Sequence, residues 1–115
     1  MHEYSIVQAL FEQVNETARA QAASAVRRVR VSIGELAGVD VSLLRTAYDT
    51  FRERTLCEDA PLDVREIPAR WTCPDGHGDI PRGRTLVCPA CNRAARLAAG
   101  DEIVLDQVEL EVPDV

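Results

Sequence analysis

Cysteine and histidine residues near the end of the chain form the pattern best suited to binding a metal ion. Cys88-Pro-Ala-Cys91 is a C-x-x-C knuckle, which presents two thiolates to one ion from a tight turn. Cys73 lies upstream of this knuckle, and His77 follows Cys73 as a C-x3-H pair. Three thiolates and one imidazole make a tetrahedral Cys3His set, a composition found in structural zinc sites. We therefore predict that Cys73, His77, Cys88 and Cys91 bind zinc.

Other interpretations of these residues stay open at this point. A redox-active C-x-x-C pair would open a helix after a strand in a βαβ unit, and the sequence before Cys88 does not support that arrangement. If His77 is a free surface residue, then Asp75, Asp79 or water takes the fourth ligand position. Cys57 lies away from the other cysteines in sequence, and we expect it to be a buried small hydrophobic residue.

The first residues of the chain, Met1-His2-Glu3, form a second group with metal-binding chemistry. A free α-amine, the His2 backbone nitrogen and the His2 imidazole can form two fused chelate rings around one ion. Such a nitrogen-rich planar set suits Ni(II) or Cu(II). Glu3 can add its backbone nitrogen or its carboxylate. Taken alone this signal is weak, because a histidine at the second position is usually a surface residue.

Two stretches have the periodicity of amphipathic helices. Residues 4–22 carry apolar side chains at spacings of three and four, which form one stripe on a helix. Asp40 or Ser42 can cap a second helix over about residues 41–56. The apolar positions of the first helix are Val7, Leu10, Phe11, Val14 and Ala18, and those of the second are Leu43, Leu44, Ala47, Tyr48 and Phe51.

Three stretches have the features of β-strands. Residues 27–33 alternate between apolar and polar side chains, with Val29, Val31 and Ile33 on the apolar side. Residues 62–67 form a short apolar-rich run between two prolines. Residues 103–112 alternate again, and the apolar side of this last strand is predicted to consist of Val108, Leu110 and Val112.

The stretch between the last two strands differs from the rest of the chain. Residues 69–100 are rich in Gly, Pro and Arg and have neither helical nor strand periodicity. We therefore predict an α+β fold, in which two helices cover a small mixed sheet of about three strands and a loop-rich zinc module is inserted. The predicted helix–sheet domain comprises residues 1–68 and 101–115, and the module comprises residues 69–100.

Net charge and hydropathy exclude several classes of protein. A formal net charge of −6 argues against a sequence-independent nucleic-acid binder. No stretch approaches the ~18 apolar residues of a membrane span, and the N-terminus lacks the basic region of a signal peptide. We therefore expect a cytoplasmic protein with reduced thiols. A zinc-ribbon nucleic-acid or transcription accessory module stays the alternative, because the predicted module contains Arg82, Arg84, Arg93 and Arg96.

Several segments together resemble a known family. The string Met1-His2-Glu3-Tyr4-Ser5, a helix, a strand ending Ile33-Gly34-Glu35 and a C-terminal cysteine module resemble the HypA/HybF family of hydrogenase nickel-incorporation proteins. Further matching segments are residues 40–44, 48–52 and 61–64. The resemblance covers nearly the whole chain and implies a metallochaperone, not an enzyme. It implies delivery of nickel to the [NiFe]-hydrogenase large-subunit precursor alongside a nickel-inserting GTPase, and in some species to urease; a homodimer is left open.

The resemblance also implies the roles of the N-terminal residues. His2 becomes the principal nickel ligand, and Met1 and Glu3 become auxiliary ligands. Asp40 is a weaker candidate near the same site.

In the cysteine module the chain matches the family except at one position. Cys73, Cys88 and Cys91 match three of the family's four zinc thiolates, but Gly76 stands where the fourth cysteine belongs. His77 is the nearest replacement. An imidazole in place of a thiolate makes the ligand set one charge less negative and adds a group that titrates near pH ~6.5.

Overall fold

The computed structural model describes residues 2–83 and 85–113, with only the backbone of His2. These residues form two helices and six strands. In chain order the elements are α1 (His2–Ala20), β1 (Ala25–Gly34), α2 (Val41–Phe51), β2 (Leu62–Ile67), β3 (Arg70–Thr72), β4 (Asp79–Ile80), β5 (Arg96–Ala99) and β6 (Ile103–Glu111).

The strands form two separate three-stranded sheets. The first sheet has the order β2-β1-β6 and is mixed, because β1 runs parallel to β2 and antiparallel to β6. The second sheet has the order β4-β3-β5 and is antiparallel throughout. The predicted fold class, a small mixed sheet of three strands with two helices, is confirmed. We call α1, β1, α2, β2 and β6 the helix–sheet unit and residues 69–100 the cysteine module.

The helix–sheet unit has a largely aliphatic core, with Phe11 and Tyr48 as its buried aromatic residues, between its helices and the inner face of the first sheet. The predicted apolar stripe of α1 is buried over its whole length, and so is the predicted inner face of β1. Cys57 belongs to this core and is 1% exposed, as expected from its sequence context. The buried positions from these predictions are Val7, Leu10, Phe11, Val14, Ala18, Val29, Val31 and Ile33.

Several predicted boundaries are wrong by a few residues. α1 begins at His2, not at residue 4, so that His2 belongs to the first helical turn. α2 ends at Phe51, not near residue 56, because the chain then turns through Arg54, whose φ is +62°. Leu43 was predicted to be on the buried side of α2 but is 51% exposed, whereas its neighbour Leu44 is fully buried.

The inner face of β6 also differs from the prediction. Val108 and Leu110 pack against the core, but Val112 lies beyond the end of the strand and is 51% exposed. Leu105 packs against the core as well, out of step with a simple alternation. The pairing of β1 with β6 contains register shifts, and each shift changes which side chains face the helices.

Residues 69–100 are loop-rich, as predicted, but they also contain short strands that the sequence did not indicate. They contain β3, β4 and β5, which have only two to four residues each. Strands this short show no detectable period in the sequence. The assignment of the two parts of the chain as domains stays a prediction.

Candidate metal centre

The first of the two turns that carry the predicted zinc ligands follows β3. The Cys73 N–H donates to the Gly78 carbonyl at 3.0 Å, and the Gly76 N–H donates to the Cys73 carbonyl at 3.1 Å. Gly76 has a φ of +85°, a conformation that a residue with a side chain adopts only with strain. The turn therefore reverses at Gly76, and His77 is the first residue after the reversal.

The second turn, at the C-x-x-C knuckle, also starts at a cysteine, but its residue with positive φ lies at a different position. The Asn92 N–H donates to the Cys88 carbonyl at 2.7 Å, and Asn92 is the residue with positive φ, at +61°. Here Cys91 precedes the reversal, whereas His77 follows it in the first turn. The exchange of the expected cysteine for Gly76 thus moves the ligand one residue along the chain, and the turn accommodates it.

The two turns bring the four predicted ligands together. One ligand atom from each of Cys73, His77, Cys88 and Cys91 lies within 4.8 Å of the others. The Cys73 Sγ is 3.5 Å from the Cys91 Sγ and 3.4 Å from the His77 Nδ1, and the Cys88 Sγ is 3.6 Å from the same nitrogen. His77 therefore presents Nδ1, the ring nitrogen nearer to the backbone.

These separations fit one tetrahedral ion. With metal–sulfur bonds of about 2.3 Å and metal–nitrogen bonds of about 2.0 Å, tetrahedral geometry places sulfurs about 3.8 Å apart and sulfur about 3.5 Å from nitrogen. The sulfur–sulfur distance of 3.5 Å and the sulfur–nitrogen distances of 3.4 and 3.6 Å match this arrangement. Thiolate and imidazole ligands suit zinc and related borderline metal ions.

The surroundings of the cluster favour the thiolate form, which a metal requires, at Cys73 and Cys88. At Cys91 the Arg93 N–H favours the thiolate, but burial and the neighbouring thiols outweigh it and raise the pKa of Cys91 to about 11. The Asp75 and Ala90 N–H groups donate to the Sγ atoms of Cys73 and Cys88, each at 3.4 Å. Burial disfavours the Cys73 thiolate, but the backbone N–H groups and the neighbouring thiols outweigh this effect and lower the pKa of Cys73 to about 6. Cys88 and Cys73 in turn raise the pKa of His77.

The carboxylates considered as alternative ligands lie beside the cluster. Asp79 forms an ion pair with Arg70 at 3.2 Å. Asp75 Oδ2 is 3.9 Å from the Cys91 Sγ, and its other oxygen accepts a hydrogen bond from Arg93 at 2.8 Å. Sequence reasoning did not find this Asp75–Arg93 pair, although opposite charges within two neighbouring turns are a usable signal.

The cluster also forms half of the small core of the cysteine module. Cys73 and Cys88 are each 3% exposed, and Ile80 is 5% exposed. Trp71, Cys91 and Ala95 pack against these residues and are partly buried. Because half of these core residues are predicted ligands, burial alone gives the module little stabilisation.

The predicted nickel site is only partly within the described residues. Met1 and the side chain of His2 lie outside them. The Glu3 Oε2 accepts a hydrogen bond from the Asp40 N–H at 3.1 Å, and the Asp40 side chain accepts one from the Leu43 N–H at the start of α2. The structure therefore places Glu3 beside Asp40.

Membrane insertion of a helix finds no support in the described part of the chain. Neither α1 nor α2 is both long enough and apolar enough to span a bilayer.

Comparisons with known proteins identify the family. A family model described as hydrogenase/urease nickel incorporation, metallochaperone, hypA matches residues 1–110. The hydrogenase maturation factor HypA of Shewanella baltica (strain OS223) is 41% identical over 113 residues, covering 96% of this chain and 97% of the relative. That of Aquifex aeolicus (strain VF5) is 37% identical over 114 residues, covering 97% and 99%.

A solved structure supports the same assignment. The solution structure of the Ni metallochaperone HypA from Helicobacter pylori has a TM-score of 0.72 and 34% sequence identity, and the match covers 96% of this chain and 98% of that one. A second solution structure, of a HypA protein, has a TM-score of 0.79 at 32% identity, with 98% of each chain covered. The resemblance inferred from the sequence is thereby confirmed, and the chain belongs to the HypA family of hydrogenase/urease nickel-incorporation metallochaperones.

Proposed function

We propose that this protein binds Ni(II) at its N-terminus and delivers it to the [NiFe]-hydrogenase large-subunit precursor, while a zinc ion in the cysteine module has a structural role. Family membership carries this proposal, because the matching relatives are named as hydrogenase maturation factors. On this proposal the protein is not an enzyme, and nickel is its cargo.

The proposed nickel ligands are His2, Met1 and Glu3. The first N–H groups of a helix have no partner within that helix. Because α1 begins at His2, the backbone nitrogens of His2 and Glu3 can approach a metal without the loss of a helical hydrogen bond. The Asp40 N–H holds the Glu3 carboxylate, which supports the inclusion of Asp40 as a weaker candidate. The α-amine, the backbone nitrogens and the His2 imidazole are the donors that a planar nitrogen-rich Ni(II) site requires.

The proposed zinc ligands are Cys73, His77, Cys88 and Cys91. All four are protein side chains, so the tetrahedral set is closed and leaves no open position for a substrate, as in structural zinc sites. The small core of the cysteine module supports the same role, because bound metal supplies folding free energy that apolar burial does not.

The proposed partners follow from the proposed delivery. Nickel insertion needs a source of energy, and a nickel-inserting GTPase of the maturation pathway would provide it. The recipient is the hydrogenase large-subunit precursor, and delivery to urease maturation proteins belongs to the same proposal. We place these steps in the cytoplasm, with a homodimer as the oligomeric state to test.

The nucleic-acid alternative is not favoured by the contacts in the cysteine module. Arg82 pairs with Glu35, and Arg93 pairs with Asp75. Carboxylates thus occupy two of the guanidinium groups on which that alternative depended, and phosphate contacts would have to replace them.

A maturation assay with two matched tags tests the proposed delivery. In a hydrogenase-producing host that lacks its own copy, the untagged and the C-terminally tagged protein should restore hydrogenase activity. The same tag at the N-terminus converts the α-amine into an amide, a far poorer donor, and should reduce activity. Partial rescue by excess nickel would identify the defect as one of nickel supply. Equal activity of the two tagged forms would exclude the α-amine as a nickel ligand.

A further inference from the structure

Glu35 lies where the helix–sheet unit meets the cysteine module. Its carboxylate accepts three hydrogen bonds. The Ala69 N–H donates to Oε1 at 2.8 Å, and the two terminal nitrogens of Arg82 donate to Oε1 and Oε2 at 2.7 and 2.6 Å. Such a two-pronged guanidinium–carboxylate contact fixes the relative orientation of its partners. Arg82 belongs to the module, whereas Glu35 follows β1 directly.

The backbone around Glu35 is hydrogen-bonded to both parts of the chain. The Gly34 N–H donates to the Glu102 carbonyl, the Glu35 N–H to Ile67 and the Leu36 N–H to Gly100. A Cβ on Gly34 would lie 2.2 Å from backbone atoms of Gly100, so the two segments touch. Ile67 ends β2 and Glu102 directly precedes β6, so two of these acceptors belong to the helix–sheet unit, whereas Gly100 is the last residue of the module. The Glu35 side chain and the Leu36 N–H therefore both contact the module, and the Glu35 side chain is the charged contact.

The position of Arg82 depends on the fold around the metal cluster. β4 ends at Ile80, which packs in the module core with Cys73 and Cys88. Arg82 follows two residues later, so the packing of Ile80 against the two cysteines places the guanidinium opposite Glu35. Loss of the metal would remove that support.

The segment after Glu35 ends at a residue that contacts Glu3, close to the start of α1. Residues 36–39 connect Glu35 to Asp40, which caps α2 and donates its N–H to Glu3. A contact that holds Glu35 therefore restrains one end of a short segment whose other end contacts Glu3.

We infer that Glu35 is a metal-dependent latch, which the folded cysteine module closes through Arg82 and Ala69 and which thereby restrains residues 36–40. The latch opens when the module loses its metal and Arg82 moves away. It requires the proposed metal in the module, but it does not depend on nickel at the N-terminus. Acid does not open it near neutral pH, because the Arg82 guanidinium and the Ala69 N–H lower the pKa of Glu35 to about 2.

Amide hydrogen exchange, measured by NMR on the full chain, tests the latch. The Ala37 and Asp40 amides donate to Gly34 and Glu3, outside the module. In the zinc-loaded wild type, removal of zinc by a chelator should accelerate exchange of these two amides by about tenfold or more, since their protection then reflects local opening. In Glu35→Ala those amides should exchange fast already, and zinc removal should change their rates less than about twofold. The zinc content of this variant should equal that of the wild type.

A second variant and a matched control complete the experiment. Arg82→Gln leaves Glu35 bonded to Ala69 and should show a smaller change in the same direction. Arg70→Gln removes the same charge from an ion pair inside the module, at a side chain that is equally exposed, 56% in both cases. Its amides at residues 37 and 40 should behave as in the wild type. If zinc removal accelerates exchange equally in Glu35→Ala and in the wild type, the latch is wrong. If the wild type carries no zinc, the proposed structural zinc is wrong instead.

Discussion

The two parts of this protein reach their folds by different means. In the helix–sheet unit, long elements bury an aliphatic core, and residues such as Leu44 and Val7 are fully buried within it. In the cysteine module, strands of two to four residues surround a small core in which Cys73 and Cys88 are themselves predicted ligands. The first part depends on hydrophobic burial. On the proposed function the second depends on metal–ligand bonds, because its side chains bury little apolar surface.

Among variants that distinguish the two parts of the protein, Cys88→Ala should have the largest effect. This variant should lose its metal and unfold the cysteine module, while the helix–sheet unit stays folded. Metal analysis and the fluorescence of Trp71, the one tryptophan in the chain, would follow the module, and far-UV circular dichroism would follow the helices. Cys57→Ala is the matched control, since Cys57 is buried in the other core and should not affect the metal content. Stoichiometric metal in Cys88→Ala would disprove the ligand set.

A substitution in the aliphatic core should have the opposite pattern. Leu44→Ala should lower the free energy of unfolding of the helix–sheet unit by about 2–5 kcal/mol, because it removes a fully buried side chain and leaves a cavity. Its metal content should not change while the unit stays folded. Leu43→Ala, at the neighbouring 51% exposed position, should cost less than about 1 kcal/mol in the same denaturant titration. Equal costs at the two positions would contradict the described core.

A smaller effect is expected at the ligand that departs from the family pattern. His77→Ala should weaken zinc binding by about tenfold or more, because one of four ligands is lost while three thiolates remain. Competition with a chromogenic chelator would measure the affinity. Asp75→Asn is the control, since Asp75 lies beside the cluster and pairs with Arg93. If only Asp75→Asn weakened zinc, the fourth ligand would be Asp75.

The smallest effect concerns the contact between the two parts. The folded-state pKa of Glu35 lies at about 2, below its ordinary value of about 4.3. Its contribution to stability is therefore fully present above pH ~4.3 and is lost as the pH falls towards 2. An NMR titration of the Glu35 carboxyl should give the low pKa in the wild type and a higher one in Arg82→Gln. An unchanged pKa in that variant would mean that Arg82 does not hold the carboxylate.

The sequence was most informative where a pattern repeats over several turns of an element. The α1 stripe from Val7 to Ala18 and the β1 positions from Val29 to Ile33 were predicted correctly, because burial on one face imposes a period on the sequence. The inner face of β6 was predicted only in part. Register shifts against β1 interrupt its alternation, and a bulge leaves no clear trace in residue types.

The residues of the candidate metal site were predictable from the sequence, but the contacts between them were not. The spacing of Cys73, Cys88 and Cys91 indicated a shared ion, and the structure brings these residues together with His77. The use of Nδ1 by His77 depends on a turn that reverses at Gly76, which spacing alone does not reveal. The Glu35–Arg82 contact joins residues far apart in the chain, so that only the tertiary structure exposes it.

We propose that two regions of one chain hold two different metal ions. The zinc and nickel content of the untagged wild type, His2→Ala and Cys88→Ala tests this proposal, after equilibration with nickel and removal of the excess. The wild type should hold about one zinc and bind nickel. His2→Ala should lose nickel and keep zinc, whereas Cys88→Ala should lose zinc. If His2→Ala binds nickel as tightly as the wild type, the N-terminal nickel site is wrong.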